Sequence, residues 1–279
     1  MTLAADYQRD GFVVCHGLVD EATFQSLREE TVAIATGRRG AIEGVPASSG
    51  EGATDRGEDS LNHVLAIHFP HKVSPPIRAM LTFPPIVSVL NQVIGPDVKC
   101  MQSMLFVKSA GKPGQAWHQD ETFIPTRDAS LCGVWIAIDD ATVDNGCLWV
   151  QPGSHKPRQL WPSRACGDPR FDGSPESFGW ESERWPSEGG LPVEVVAGSV
   201  VFFNGYTLHR SLDNRRKTGY RRALVNHCMS ARGPLPWPFC ASAFAPEDYR
   251  DIVMVSGSDP FESRGVEDLA RPFVRKEKR

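Results

Sequence analysis

The spacing of apolar residues changes character near residue 97. Upstream of that point it is mostly helical. Leu3 to Arg9 fits a short helix and Gly11 to His16 a strand, and the segment that Asp20 can cap brings Phe24 and Leu27 to one face. Ile77, Met80 and Leu81, followed beyond Pro84-Pro85 by Val87, Leu90, Val93 and Ile94, predict a helix that proline restarts. Between these elements, Arg38 to Ser60 (RRGAIEGVPASSGEGATDRGEDS) is small, polar and aperiodic, and reads as a mobile loop.

After Gly95-Pro96 the pattern shortens to strand-like runs: Val98 to Lys108, Leu131 to Ile138, Cys147 to Val150, Val193 to Val196, Ser199 to Phe203 and Tyr220 to Ser230. Each is bounded by Gly, Pro, Asn or Asp. Short strands in this order predict an antiparallel sandwich or barrel of jelly-roll type, mainly β with flanking helices. The expected organisation is a single domain over 1–279, with mostly helical support and the mobile loop in 1–97, the β core in 98–230 and a C-terminal extension in 231–279. Inside the core, 156–190 is rich in Pro, Gly, Ser and Trp without a period. A structureless stretch of that length is usually functional or disordered, and its aromatic residues suggest a lid or a staple.

Composition narrows the function classes. With 41% hydrophobic and 23% charged residues among 279, the chain can bury a core, which excludes disorder. The net charge is −4, and Lys and Arg are scattered apart from RRKTGYRR at 215–222 and the tail from Arg275, so no basic field suits nucleic acid. No apolar stretch approaches the roughly 20 residues of a membrane helix, and the start lacks a signal-peptide pattern. Seven cysteines without a CxxC pair argue against both a disulfide framework and a zinc ribbon, and suit a reducing cytoplasm. The expected partner is a small-molecule substrate; oligomeric state is left open.

The strongest chemical signal is Trp117-His118-Gln119-Asp120. His118 and Asp120 lie two apart, so on extended chain they share a face and can grip one metal. His209, in GYTLHRS just after a strand-like run, is a third ligand of the right type. Two imidazoles and one carboxylate leave three positions open on a divalent metal, as non-haem Fe(II) oxygenases require, whereas structural zinc prefers a closed four-ligand set.

The ordered set WHQD, NGCLWVQPGSH, LHRSLDN and GYRRA, over most of the chain from GFVVCHGLVD to about Ser230, resembles the phytanoyl-CoA dioxygenase family of Fe(II)/2-oxoglutarate-dependent oxygenases. The resemblance implies a double-stranded β-helix core, with His118, Asp120 and His209 as ligands of Fe(II), and 2-oxoglutarate and O2 as co-substrates. It also implies Arg221 as the clamp for the distal carboxylate of 2-oxoglutarate, helped by Ser211. A guanidinium suits that task because it binds a carboxylate bidentately. Arg222 is the competing choice; neighbours on a strand face opposite ways, and the family pattern favours Arg221. Lys108, Gln102 and Trp135 are further candidates for the co-substrate pocket, against ordinary roles as a strand-end lysine and core residues.

The remaining histidines, 16, 63, 68, 71 and 227, read as core or surface residues, and His155 as a residue ordering the PGSH turn. Cys147 and Cys228 read as small core residues. The implied activity is oxidation, by default hydroxylation, of a C–H bond in a small organic molecule such as a secondary metabolite; Asp120 fills the position that a halogenase would leave for chloride. A non-catalytic jelly-roll binding protein, or a cupin-type metal enzyme that does not use 2-oxoglutarate, would share these residues.

Overall fold

Two antiparallel sheets face one another across a cavity, and side-chain alternation along their strands explains which face each presents. The computed structural model describes residues 2–47, 57–126, 128–233, 239–240, 243–244, 252–265 and 270–276. Its strands in chain order are β1 (Phe12–Cys15), β2 (Val64–His68), β3 (Val98–Ser109), β4 (Gln115–His118), β5 (Cys132–Ala137), β6 (Leu148–Val150), β7 (Ser163–Ala165) and β8 (Pro175–Ser177). They continue with β9 (Leu191–Val193), β10 (Val200–Asn204), β11 (His209–Ser211), β12 (Tyr220–Ser230), β13 (Phe239–Cys240), β14 (Ala243–Phe244), β15 (Val253–Ser256) and β16 (Phe273–Lys276). The larger sheet runs β1-β10-β5-β12-β3-β2-β16, with β15 also on β3, and the smaller runs β4-β11-β6-β9.

The larger sheet is apolar on both faces because both are covered. Val134 and Ile136 of β5, Val200 and Phe202 of β10, and Leu224 and Cys228 of β12 share one core with Leu27, Ile34, Ile77, Leu81, Ile86 and Leu90 of the helical layer. Their alternates, Trp135 and Ala137, Val201 and Phe203, and Ala223 and Val225, turn inward to a second core with Leu148 and Val150 of the smaller sheet. The helical layer comprises α1 (Leu3–Asp10), α2 (Glu21–Ala35), α3 (Pro75–Ala79) and α4 (Pro84–Val93). Asp20 caps α2 through its side chain, Ser74 caps α3, and the paired prolines open α3 and α4, where a missing N–H costs nothing. No helix among the described residues is long and apolar enough to cross a membrane.

Several elements differ from the sequence expectation. Val64–His68 is a strand of the larger sheet, paired with β3 on one side and β16 on the other, within the segment expected to be mostly helical. The expected mobile loop begins with an Ile42–Val45 bridge and ends in a 3-10 helix, Gly57–His63; its residues 48–56 lie outside the described residues. The strand expected at Val193 to Val196 falls instead at Leu191–Val193, and 156–190 holds a hairpin, β7 with β8. Within the C-terminal extension, β16 closes the free edge of β2.

Trp180 and Trp185 are buried in a cluster with Trp117 and Leu208, on the outer face of the smaller sheet. The indole N–H groups of Trp117, Trp180 and Trp185 donate to the carbonyls of Ser187, Ser177 and Pro152. Arg210 lies over Trp117 and Trp149, 4.6 and 5.4 Å from their ring centres. These contacts fasten the segment to the sheet. Only Ser174 and Pro175 of the segment reach the cavity lining.

Candidate metal centre and its cavity

Strand register brings the two distant histidines together. His118 ends β4 and His209 begins β11, and the two are direct cross-strand partners, with ring centres 4.1 Å apart. Each donates its Nδ1–H to the carbonyl two residues before it, His118 to Ala116 at 2.7 Å and His209 to Thr207 at 2.9 Å. That fixes the tautomer and leaves each Nε2 lone pair free. Asp120 opens a 3-10 helix two residues past the end of β4, and its Oδ1 lies 3.6 Å from His118 Nε2 and 3.5 Å from His209 Nε2. The ligand atoms of His118, Asp120 and His209 all fall within 4.8 Å of one another, close enough to hold one ion.

Gln119, between the two β4-side ligands, faces the other way and is fully buried. Its amide donates to the carbonyls of Gln159 and Tyr206 and accepts from the N–H of Trp161, anchoring the turn that carries Asp120. Burial alone would raise the Asp120 carboxyl, but the imidazoles of His209, His227 and His118 outweigh it and hold it well below the ordinary carboxylate range. Burial, with His118 beside it, draws His209 down to about 4, so its imidazole is neutral at pH 7 and able to coordinate.

The three groups open onto a cavity of about 400 Å³ between the sheets. At one end sits Arg221, on the inward face of β12. It is 4% exposed, its Nε has no partner, and its guanidinium makes no hydrogen bond or ion pair among the described residues; the Trp135 ring lies 5.7 Å from it. Arg222 faces the helical layer, where it binds Asp139 through two side-chain bonds of 2.7 and 3.0 Å and meets Glu58 at 2.9 Å. The strand's alternation therefore separates a free cation from a paired one.

The other candidates fall at different distances from this centre. Ser211 lines the cavity beside Arg221, as do Trp135 and Gln102. Lys108, the cross-strand partner of Arg221, is buried behind Ser211 in a much smaller adjoining pocket, and its Nζ donates to Ser211 Oγ (2.9 Å) and to the Leu212 carbonyl. Burial, then the charge of Arg221, puts its ammonium well below the usual lysine value.

Two histidines expected to be ordinary core or surface residues, His227 and His68, line the same cavity. His227 Nε2 lies 3.2 Å from Asp120 Oδ2, and His68 stands in the cavity wall beside Gln102, stacked on Phe273. His227 carried a readable signal: it is six residues after Arg221, so on one strand the two share a face. His68 carried none, because β2 itself was not foreseen. At the mouth, Phe123 is 42% exposed, and Arg275 of β16 joins Asp172 (2.9 Å) and Ser174 (2.8 Å) of the 156–190 segment.

A family profile, Phytanoyl-CoA dioxygenase (PhyH), matches residues 7–223. The mouse phytanoyl-CoA dioxygenase domain-containing protein 1 is 32% identical over 178 residues, covering 63% of this chain and 58% of that protein. The chain spans about half the length of the curated relatives it matches. Among solved structures, the apo form of the non-heme monooxygenase ThoJ superposes with a TM-score of 0.68 at 21% identity, over 99% of this chain and 89% of that one. The epimerase SnoN in complex with Fe3+, alpha ketoglutarate and nogalamycin RO superposes with a TM-score of 0.63 at 21% identity, over 92% and 95%. At these identities the likeness establishes the fold.

Proposed function

Because this chain belongs to the phytanoyl-CoA dioxygenase family, we propose that it is an Fe(II)- and 2-oxoglutarate-dependent dioxygenase that oxidises, by default hydroxylates, a C–H bond of a small organic molecule. The observation that carries this reading is the unpaired, buried guanidinium of Arg221 in the same cavity as the ligand atoms of His118, Asp120 and His209. A buried cation without a counter-ion is costly, and a ligand carrying carboxylates at both ends answers both features at once.

The donor set fits iron: two imidazoles and one carboxylate, with room for a chelating keto acid and O2. When bound, Fe(II) with 2-oxoglutarate and O2 supplies the oxidising chemistry, releasing succinate and CO2. The residues of the chain supply position. Arg221 takes the distal carboxylate in a bidentate grip, and Trp135 flanks it. Ser211 already accepts from Lys108 and from the Gln115 N–H, so its own hydroxyl proton is free to donate to that carboxylate. Lys108 thus acts through Ser211. Phe203, 4.6 Å from the His209 ring, and Leu148 and Val225 keep the walls apolar and exclude water.

The substrate half of the cavity combines Met104, Phe123 and Ile124 with an arginine already paired to Asp172. This supports a compact organic molecule, such as a secondary metabolite, over an acyl-CoA, whose phosphates need free cations. A cytoplasmic location belongs to the same reading, supported by free cysteines.

The test is anaerobic titration of the Fe(II)-loaded protein with 2-oxoglutarate, following the charge-transfer absorption, and then succinate release on admitting O2. Wild type should give both signals, and Asp120→Ala and His209→Ala neither. A wild type that binds Fe(II) but gives no 2-oxoglutarate signal would replace this reading with a cupin-type metal enzyme.

A further inference from the structure

We propose that His227 is a positioning residue of the metal centre: it donates its Nε2–H to Oδ2 of Asp120 and so restricts the carboxylate to a single coordinating oxygen. The inference rests on the reading of His118, Asp120 and His209 as ligands, and concerns how one of them is held.

The two oxygens of Asp120 have separate surroundings. Oδ1 faces His118 and His209 at 3.6 and 3.5 Å, while Oδ2 faces His227 Nε2 at 3.2 Å. A carboxylate only accepts, so the proton of this hydrogen bond sits on Nε2 of His227. The ring has little freedom to move away. It is 5% exposed, on the inward face of the eleven-residue strand β12, and register sets it opposite Gln102 of β3. Immediately after it the pairing slips, Cys228 meeting Cys100, so that Met101 forms a bulge packed with Met229 and Ile124. Bulges re-aim side chains beside sites of this kind.

The consequence is one of coordination number. A carboxylate free to rotate can bind a metal through both oxygens and occupy one of the three positions left by a two-histidine, one-carboxylate set. With Oδ2 engaged by His227, Oδ1 alone is presented and all three positions stay available. The same strand then carries, three pleats apart, the guanidinium at one end of the cavity and the residue that sets the carboxylate.

Two variants and one metal separate this role from simple packing. Co(II) titrations of metal-free protein, read by visible absorption, give affinity and coordination number without 2-oxoglutarate. H227L, which lacks a donor, is expected to bind Co(II) about 10- to 100-fold more weakly, the usual cost of losing a partner behind a metal ligand, with a spectrum shifted toward higher coordination. H227Q, which can return an N–H to the same place, is expected to restore affinity to within a few-fold and to recover the wild-type spectrum. Metal-free melting temperatures report packing separately. Wild-type Co(II) affinity and spectrum in H227L would overturn the proposal, as would equal weakening in both variants in step with their melting temperatures. A wild type that binds Co(II) but ignores 2-oxoglutarate would refute the dioxygenase reading and leave the role of His227 standing.

Discussion

Replacing Arg221 by methionine should make the metal-free protein more stable while crippling its hold on 2-oxoglutarate. Burial draws the guanidinium down from its ordinary value to about 10, and no group among the described residues pairs with it. At about 1.4 kcal/mol per pH unit, holding that charge costs about 3 kcal/mol. The sign follows from proton binding: a base depressed in the folded state binds fewer protons folded than unfolded from about pH 10 upward, so stability would climb with pH there. At pH 7, below both values, the whole penalty is present, and methionine removes it while keeping most of the chain length. Arg222→Met should do the reverse. It strips two side-chain hydrogen bonds from buried Asp139, and breaking such a pair costs about 3–5 kcal/mol. At about 2 °C per kcal/mol, calorimetry of the metal-free proteins should place Arg221→Met about 6 °C above wild type and Arg222→Met about 6–10 °C below it. For 2-oxoglutarate, losing the clamp should weaken binding by about 2–5 kcal/mol, about 30- to 4,000-fold in Kd, in Arg221→Met alone. Equal destabilisation of both variants, or wild-type 2-oxoglutarate affinity in Arg221→Met, would refute the assignment of a free cation and a paired one.

Trp180→Ala should cost about 3–5 kcal/mol by emptying the aromatic cluster, and should open 156–190 to limited proteolysis while 2-oxoglutarate affinity of the Fe(II)-loaded protein stays at the wild-type value; a protease-resistant segment would count against the staple. A methyl group at Gly133 would collide with the Phe203 ring, which packs on His209. Gly133→Ala should therefore lower the melting temperature by the equivalent of about 1–3 kcal/mol and weaken Co(II) binding as well, and a melting shift with unchanged metal affinity would show that the strain never reaches His209.

The long strands were legible because their apolar runs are long. Tyr220–Ser230 matches its expected bounds, and Val98–Ser109 runs one residue past its own. Short strands hid for identifiable reasons. Leu191–Val193 contains a proline and an exposed leucine, and Ser163–Ala165 is solvent-facing on every residue, so neither leaves an apolar pattern. In the site, HxD and the more distant His209 were readable from residue type and from family resemblance, but their union depends on the β4–β11 register, which no local pattern encodes. His227 was obscured because a lone histidine has no periodicity of its own; counting in twos from Arg221 along the strand would have found it. Lys108 was read as a pocket residue, and lies one step behind, since cross-strand pairing gives the face of a side chain and not its depth.

The rim made by Arg275 with Asp172 and Ser174 comes from two segments about a hundred residues apart, and neither belongs to β4 or β11, which carry His118 and His209. One is a loop-rich insertion and the other an edge strand of the larger sheet, placed where sequence can change without disturbing the sheet interior. Heritable variation can thus rework the doorway while β4, β11 and β12, where a one-residue change of register would turn the cavity-facing side chains away, stay as they are. Such a division makes the molecule evolvable: one reaction centre can be lent to new clients by rewriting its threshold, and ancestral or recombined proteins of this build should trade substrates through 172–175 and 273–276 exchanged as a matched pair.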